Sequence, residues 1–128
     1  MNDNLNGFER AVLHKLLAGS GAKLAALRRQ LEQCRVRKRE ETGAGVYTYL
    51  DVDRTCEPVR LTKDPARIGG VDAELPSLSH GVGFVLLLRD GYLEMLEAYT
   101  YDEPWPESLA GFNLRYAPAQ RDLSALVD

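Results

Sequence analysis

Two helical stretches followed by a series of hairpin-linked strands place this 128-residue chain in the α+β class, with two N-terminal helices packed on one face of a mostly antiparallel sheet of five or six strands. Three observations carry that expectation. Apolar residues recur at helical spacing through Phe8, Val12, Leu16 and again through Leu24, Leu27, Leu31. From Arg35 onward the period shortens to two, and turn residues separate the alternating runs. Asp90-Gly91 divides two strongly apolar runs, and it suits the two-residue type I′ hairpin turn, which needs positive φ at both central positions. Strands that follow one another without intervening helices argue against a doubly wound sheet.

The first helix is expected over residues 7–18. Asn6 followed by Glu9 reads as a capping box, in which each side chain accepts from the other residue's backbone N–H. Gly19-Ser20-Gly21 breaks the helix, and Ser20 is a candidate cap for the second, expected over residues 22–34, with Arg28, Arg29, Glu32 and Gln33 facing water. The next run puts Arg35, Arg37, Arg39 and Glu41 on one side and Val36, Lys38, Glu40 and Thr42 on the other, so few apolar residues that it reads as an edge strand. After a turn at Gly43-Ala44-Gly45, residues 46–52 have the β-branched and aromatic content of its hairpin partner. Residues 53–67 read as loop, with Val59-Arg60-Leu61 a candidate short strand, and residues 68–75 as a weak strand. The Asp90-Gly91 turn sets Leu88 against Leu93, Leu86 against Met95 and Phe84 against Glu97, with the helices over that face. Residues 112–116 return as a last strand. Residues 1–116 are thus read as one domain and 117–128 as a tail with a helical turn at 122–126 or no fixed structure.

Composition narrows the function classes. With 45% hydrophobic and 27% charged residues the chain has globular composition, and a domain of this length buries roughly two-thirds of its unfolded surface. No apolar run approaches the roughly 20 residues that span a bilayer. The polar N-terminus lacks the pattern of a signal peptide, so a cytoplasmic protein is expected. Two cysteines, Cys34 and Cys56, and two histidines, His14 and His80, lack the tight spacing of a closed zinc site, so no metal or cofactor is expected. The cysteines read as small thiols of a reducing compartment, although spacing alone leaves a disulfide between them open. Residues 1–64 hold 12 basic and 9 acidic side chains, whereas residues 65–128 hold 4 and 10, so the surface is dipolar.

Four groups of residues bear on function, none of them a catalytic constellation. Tyr99, Tyr101 and Trp105 lie among Asp102, Glu103 and Glu107, an acidic aromatic segment suited to a partner with a basic surface. Pro104 and Pro106 fix φ on both sides of Trp105, which serves either an interface ring or a ring folded back over the sheet. His80 before a buried strand and Glu97, placed by the register on the apolar face, form an alternative ligand or enzymatic site; a capping histidine and a rim carboxylate are the plainer accounts. Arg35, Arg37, Lys38 and Arg39, with Tyr47 and Tyr49 on the paired strand, form an alternative nucleic-acid surface. The acidic balance of the chain opposes it, and cations also keep an edge strand from pairing with neighbours.

The runs Phe8-Glu9-Arg10-Ala11-Val12-Leu13, Arg39-Glu40-Glu41-Thr42-Gly43-Ala44-Gly45 and His80-Gly81-Val82-Gly83-Phe84, and above all Tyr99-Thr100-Tyr101-Asp102-Glu103-Pro104-Trp105-Pro106, resemble a family of small uncharacterised bacterial proteins. The resemblance implies a standalone bacterial α+β domain and brings no catalytic residues. In size and layout the chain is also similar to the small immunity proteins that neutralise bacterial toxins. Together these readings lead to the expectation of a non-enzymatic, immunity- or antitoxin-like interaction domain.

Overall fold

A computed structural model describes residues 4–117 and 121–127. Two helices, α1 (Gly7–Leu16) and α2 (Ala22–Glu32), precede six strands: β1 (Cys34–Glu41), β2 (Gly45–Val52), β3 (Ala66–Glu74), β4 (Val82–Arg89), β5 (Tyr92–Thr100) and β6 (Asn113–Tyr116). The strands form one sheet in the order β1-β2-β5-β4-β3-β6, and every neighbouring pair is antiparallel. Both helices lie over one face, α1 on β3 and β4 and α2 on β5.

The helices form where expected and end for identifiable reasons. Asn6 accepts from the Glu9 N–H at 2.8 Å, and Glu9 accepts from the Asn6 N–H at 2.9 Å, so the capping box is complete. At the far end of α1, carbonyls that the helix itself leaves without donors are taken by two arginines. Arg28 donates to Leu17 at 2.6 Å, and Arg121 donates to Leu16 and Ala18, each at 2.7 Å. Arg28 therefore does not simply face water; it ties α2 to the end of α1. The α2 cap is Gly21 with no side-chain cap bond, so Ser20 does not cap. Cys34 begins β1 instead of ending α2.

Between helices and sheet lies the core. Val12, Leu13, Leu16 and Leu27 pack against Phe84, Leu86, Leu88, Ile68 and Leu93, all essentially solvent-free. Phe8 joins the layers, its ring 5.6 Å from Phe84 and 4.8 Å, edge-on, from Phe112. Gln30, fully buried, donates to the Gly91 carbonyl at 2.9 Å and accepts from the Leu93 N–H at 3.1 Å, pinning α2 to the hairpin tip. That tip is the expected turn: Asp90 has φ 55° and Gly91 φ 84°.

Three strand readings change. Leu88 faces Leu93 as the turn dictates, but an irregularity next to it shifts the register by one, so Leu86 faces Leu96 and Phe84 faces Ala98. An extra residue in one strand sends every later side chain to the opposite face. Met95 and Glu97 consequently leave the helix side, and Leu96 and Ala98 take their places in the core. A second bulge, between Val36 and Lys38, breaks the alternation of β1: Val36 and Arg39 point toward the helices, and Lys38 and Glu40 away from them. Residues 66–74 form a full nine-residue strand between β4 and β6, whereas Val59-Arg60-Leu61 forms none. In the tail a short 3₁₀ turn, Ser124–Leu126, is held by Thr62, and the rest of the expected tail structure falls partly on residues 118–120 and 128, outside the described residues.

Candidate functional site

With both helices on one side, the other face of the sheet has no helix over it among the described residues; its charged edge side chains are exposed, its central ones half-buried, and Leu87 is buried. Strand pairing sorts them into rows. Lys38, Tyr49, Met95, Leu87 and Arg67 form the first, and Glu40, Tyr47, Glu97 and Val85 the second. Gly45, Tyr99, Gly83, Asp72 and Arg115 form the third. Because side chains on one face recur every second residue, the rows lie about 6.7 Å apart along the strands. The β1 bulge adds Arg37 to the first row, so that both Arg37 and Lys38 reach the Tyr49 ring, 5.4 and 4.7 Å from its centre.

The acidic aromatic segment begins at the third row and leaves the sheet over its end. Tyr99 and Tyr101 pack edge to face, ring centres 5.4 Å apart, above Gly83. Only glycine fits beneath them: a Cβ at Gly83 would lie 2.6 Å from the Tyr99 ring and collide with the Tyr101 hydroxyl. That hydroxyl donates to Asp72 at 3.4 Å, and its pKa is raised, first by burial and then by the Tyr99 hydroxyl and the Asp72 carboxylate. Tyr101 stays neutral through the physiological range and is 38% exposed as a residue. Asp102 follows in the left-handed region at φ 60° and is exposed, as is Glu107.

Glu103 and Trp105 are occupied differently. The Glu103 carboxylate accepts from the Ser79 N–H at 2.9 Å and the His80 N–H at 3.1 Å, closing the turn ahead of β4. Trp105 is half-buried against the core, and its backbone N–H donates to the Gly43 carbonyl at 2.8 Å. Thr100 fixes the same junction, donating through its N–H and its hydroxyl to Ala44 at 2.8 and 2.9 Å. The segment thus divides into an anchored part, Glu103 and Trp105, and a displayed part, Tyr99, Tyr101, Asp102 and Glu107. Asp72 joins the displayed part, and sequence reasoning missed it; the only signal was its place in a strand read as weak.

The alternative sites come apart. Glu97 lies on the helix-free face between Val85 and Tyr47, not on the apolar face, whereas His80 is exposed in the loop before β4. Three residues of extended strand separate Val82, at the start of β4, from Val85 beside Glu97, about 10 Å. Of the four basic residues, Arg35 and Lys38 point to the helix-free side, Arg37 reaches it through the bulge, and Arg39 points the other way. Arg39 forms a two-pronged bond to Glu9, with Nε to Oε2 at 2.8 Å and Nη2 to Oε1 at 2.7 Å, and Thr48 donates to the same carboxylate at 3.2 Å. Burial alone would raise the Glu9 pKa; the Arg39 and Asn6 hydrogen bonds, the Arg39 charge and Thr48 outweigh it and lower it. This linkage ties α1, β1 and β2 together and serves structure.

Neither cysteine pairs. Cys34 and Cys56 are free, and burial raises the Cys34 thiol to about 11, which keeps it protonated at neutral pH. Among the described residues no three His, Cys, Asp or Glu side chains cluster as a metal site would require, and no helix is long and apolar enough to cross a membrane. No protein-family model, curated protein or solved structure matches the chain. Residue roles here therefore rest on geometry alone.

Proposed function

We propose that this chain is a non-enzymatic protein-interaction domain that engages a partner with a basic surface through the corner formed by Tyr99, Tyr101, Asp72 and Asp102, with the exposed Glu107 five residues further along the segment. The observation that supports it is the tyrosine pair stacked on Gly83 beside carboxylates that hold no ion pair among the described residues. Large rings held rigid before contact lose little entropy on binding, and adjacent carboxylates steer a cationic surface toward them. Glu103 and Trp105 belong to this reading as the anchors that hold the corner in place, not as contacts. Within it, the domain acts in the bacterial cytoplasm in the manner of an immunity or antitoxin protein, masking the basic active surface of a toxin.

The test is affinity capture from the native cell with the wild-type chain and with the triple variant Tyr101→Ser, Asp102→Asn, Glu107→Gln. The reading expects a basic protein retained by the wild type, released by a few hundred millimolar salt, and lost from the variant while its thermal midpoint stays within about 3 °C, as befits exposed substitutions. Equal retention by both chains would move the contact elsewhere.

A further inference from the structure

We infer that the helix-free face of the sheet is the interface of a two-fold symmetric dimer, its occupant a second copy of this chain. The inference rests on the order of side chains in the first two rows, not on the corner at Tyr101. At the β1 edge the first row carries Arg37 and Lys38, and the second carries Glu40. On β2 the rows place Tyr49 beside Tyr47, and on β4 Leu87 beside Val85.

A two-fold axis running across the strands, between these rows, lays the first row of each copy on the second row of the other, with every strand over its own counterpart. The cations at 37 and 38 then meet the second copy's Glu40, in addition to the exposed 3.7 Å Lys38–Glu40 pair within each copy; Tyr49 meets Tyr47, Met95 meets Glu97, and Leu87 meets Val85. Glu97, which holds no ion pair among the described residues, falls one strand spacing, about 4.8 Å, from the place of the second copy's Tyr49, whose hydroxyl is long enough to donate to it. An axis along the strands is disfavoured, because it sets the Lys38 edge of the first row against the Arg67 edge of the same row. Charge order therefore favours the first of these two strand-aligned arrangements.

The available area sets the strength. Five strands by about 20 Å of overlap cover on the order of 500 Å² per copy, or about 1,000 Å² for the pair, the lower bound for a specific interface. An interface at that bound is a weak and reversible one, its affinity set by the contacts and not by the area. The corner rises from the third row, where Tyr101 stands over Gly83 about 10 Å from the axis, so it lies at the rim of the overlap and a dimer carries two such corners.

Sedimentation equilibrium on the full chain from about 1 to 500 μM tests the inference. The expected result is an average mass rising from 14.3 kDa toward twice that value across the range. Glu40→Lys and Tyr47→Lys are each expected to weaken dimerisation about tenfold or more, and the charge exchange Lys38→Glu/Glu40→Lys to recover most of it. Far-ultraviolet circular dichroism confirms folding, and the exposed Glu40 variant carries the test should Tyr47→Lys unfold. A wild-type chain that stays monomeric to 500 μM overturns the inference, as does a dimer indifferent to both single substitutions.

Discussion

The two faces of this sheet are built from adjacent residues and behave as opposites. On β4, Leu86 is solvent-free under the helices, and its neighbour Val85 lies on the helix-free side beside Glu97. Charge follows the same division. Among the described residues one carboxylate is buried under the helices, Glu9, and it is tied to Arg39, Thr48 and the Asn6 N–H; Glu97 on the open side and Asp102 in the loop after β5 hold no ion pair among the described residues. A carboxylate under the helices is costly unless every oxygen is satisfied, whereas one at the surface costs little and remains available. One face holds the fold together and the other is free to be selected for contact.

Substitutions ordered by expected effect sharpen this contrast. Leu86→Ala removes solvent-free side-chain volume and is expected to cost about 2 to 5 kcal/mol, against under about 1 kcal/mol for Val85→Ala one residue away. Urea denaturation of the two variants measures the gap, and equal losses would erase the distinction between the faces. Glu9→Gln comes next, at about 2 kcal/mol at pH 7, because it breaks the charged bonds to Arg39 and half of the α1 cap. The sign of the pH dependence follows from the lowered Glu9 pKa. Its contribution is present above the unfolded-state value near 4.5 and is lost as pH falls through the lower folded value. Wild-type stability should therefore drop from pH 5 downward more steeply than that of Glu9→Gln, and parallel curves would remove Glu9 from the account. Gly83→Ala is expected to cost about 1 to 2 kcal/mol by forcing the Tyr99 and Tyr101 rings aside, and to cost partner binding more than stability. The smallest effect on stability, under about 0.5 kcal/mol, belongs to Asp102→Asn with Glu107→Gln.

What the sequence disclosed and what it hid follow one rule. Local chemistry was readable: the Asn6–Glu9 box and the Asp90-Gly91 turn each depend on a few consecutive residues, and both stand as expected. Cross-strand chemistry was not. The shift beside Leu88 depends on how two strands settle against each other and on the core, and it moved Glu97 and Met95 to the other face. Arg39 changed sides for the same reason, and its partner Glu9 lies 30 residues away. Strand β3 looked weak because Gly69-Gly70 interrupts its alternation at a bulge, although Ile68, Val71 and Ala73 are buried. At the corner, the tyrosines and carboxylates were legible as a motif. That Glu103 closes the His80 turn and that Gly83 seats the rings required the fold.

The most direct measurement is partner retention by the Tyr101→Ser, Asp102→Asn, Glu107→Gln chain, with its urea midpoint taken on the same preparation. The account predicts an unfolding curve close to the wild type and the basic partner lost from the bound fraction. Undiminished retention by a folded variant, or collapse of the fold itself, would contradict the claim that this corner is displayed for contact and not needed for structure.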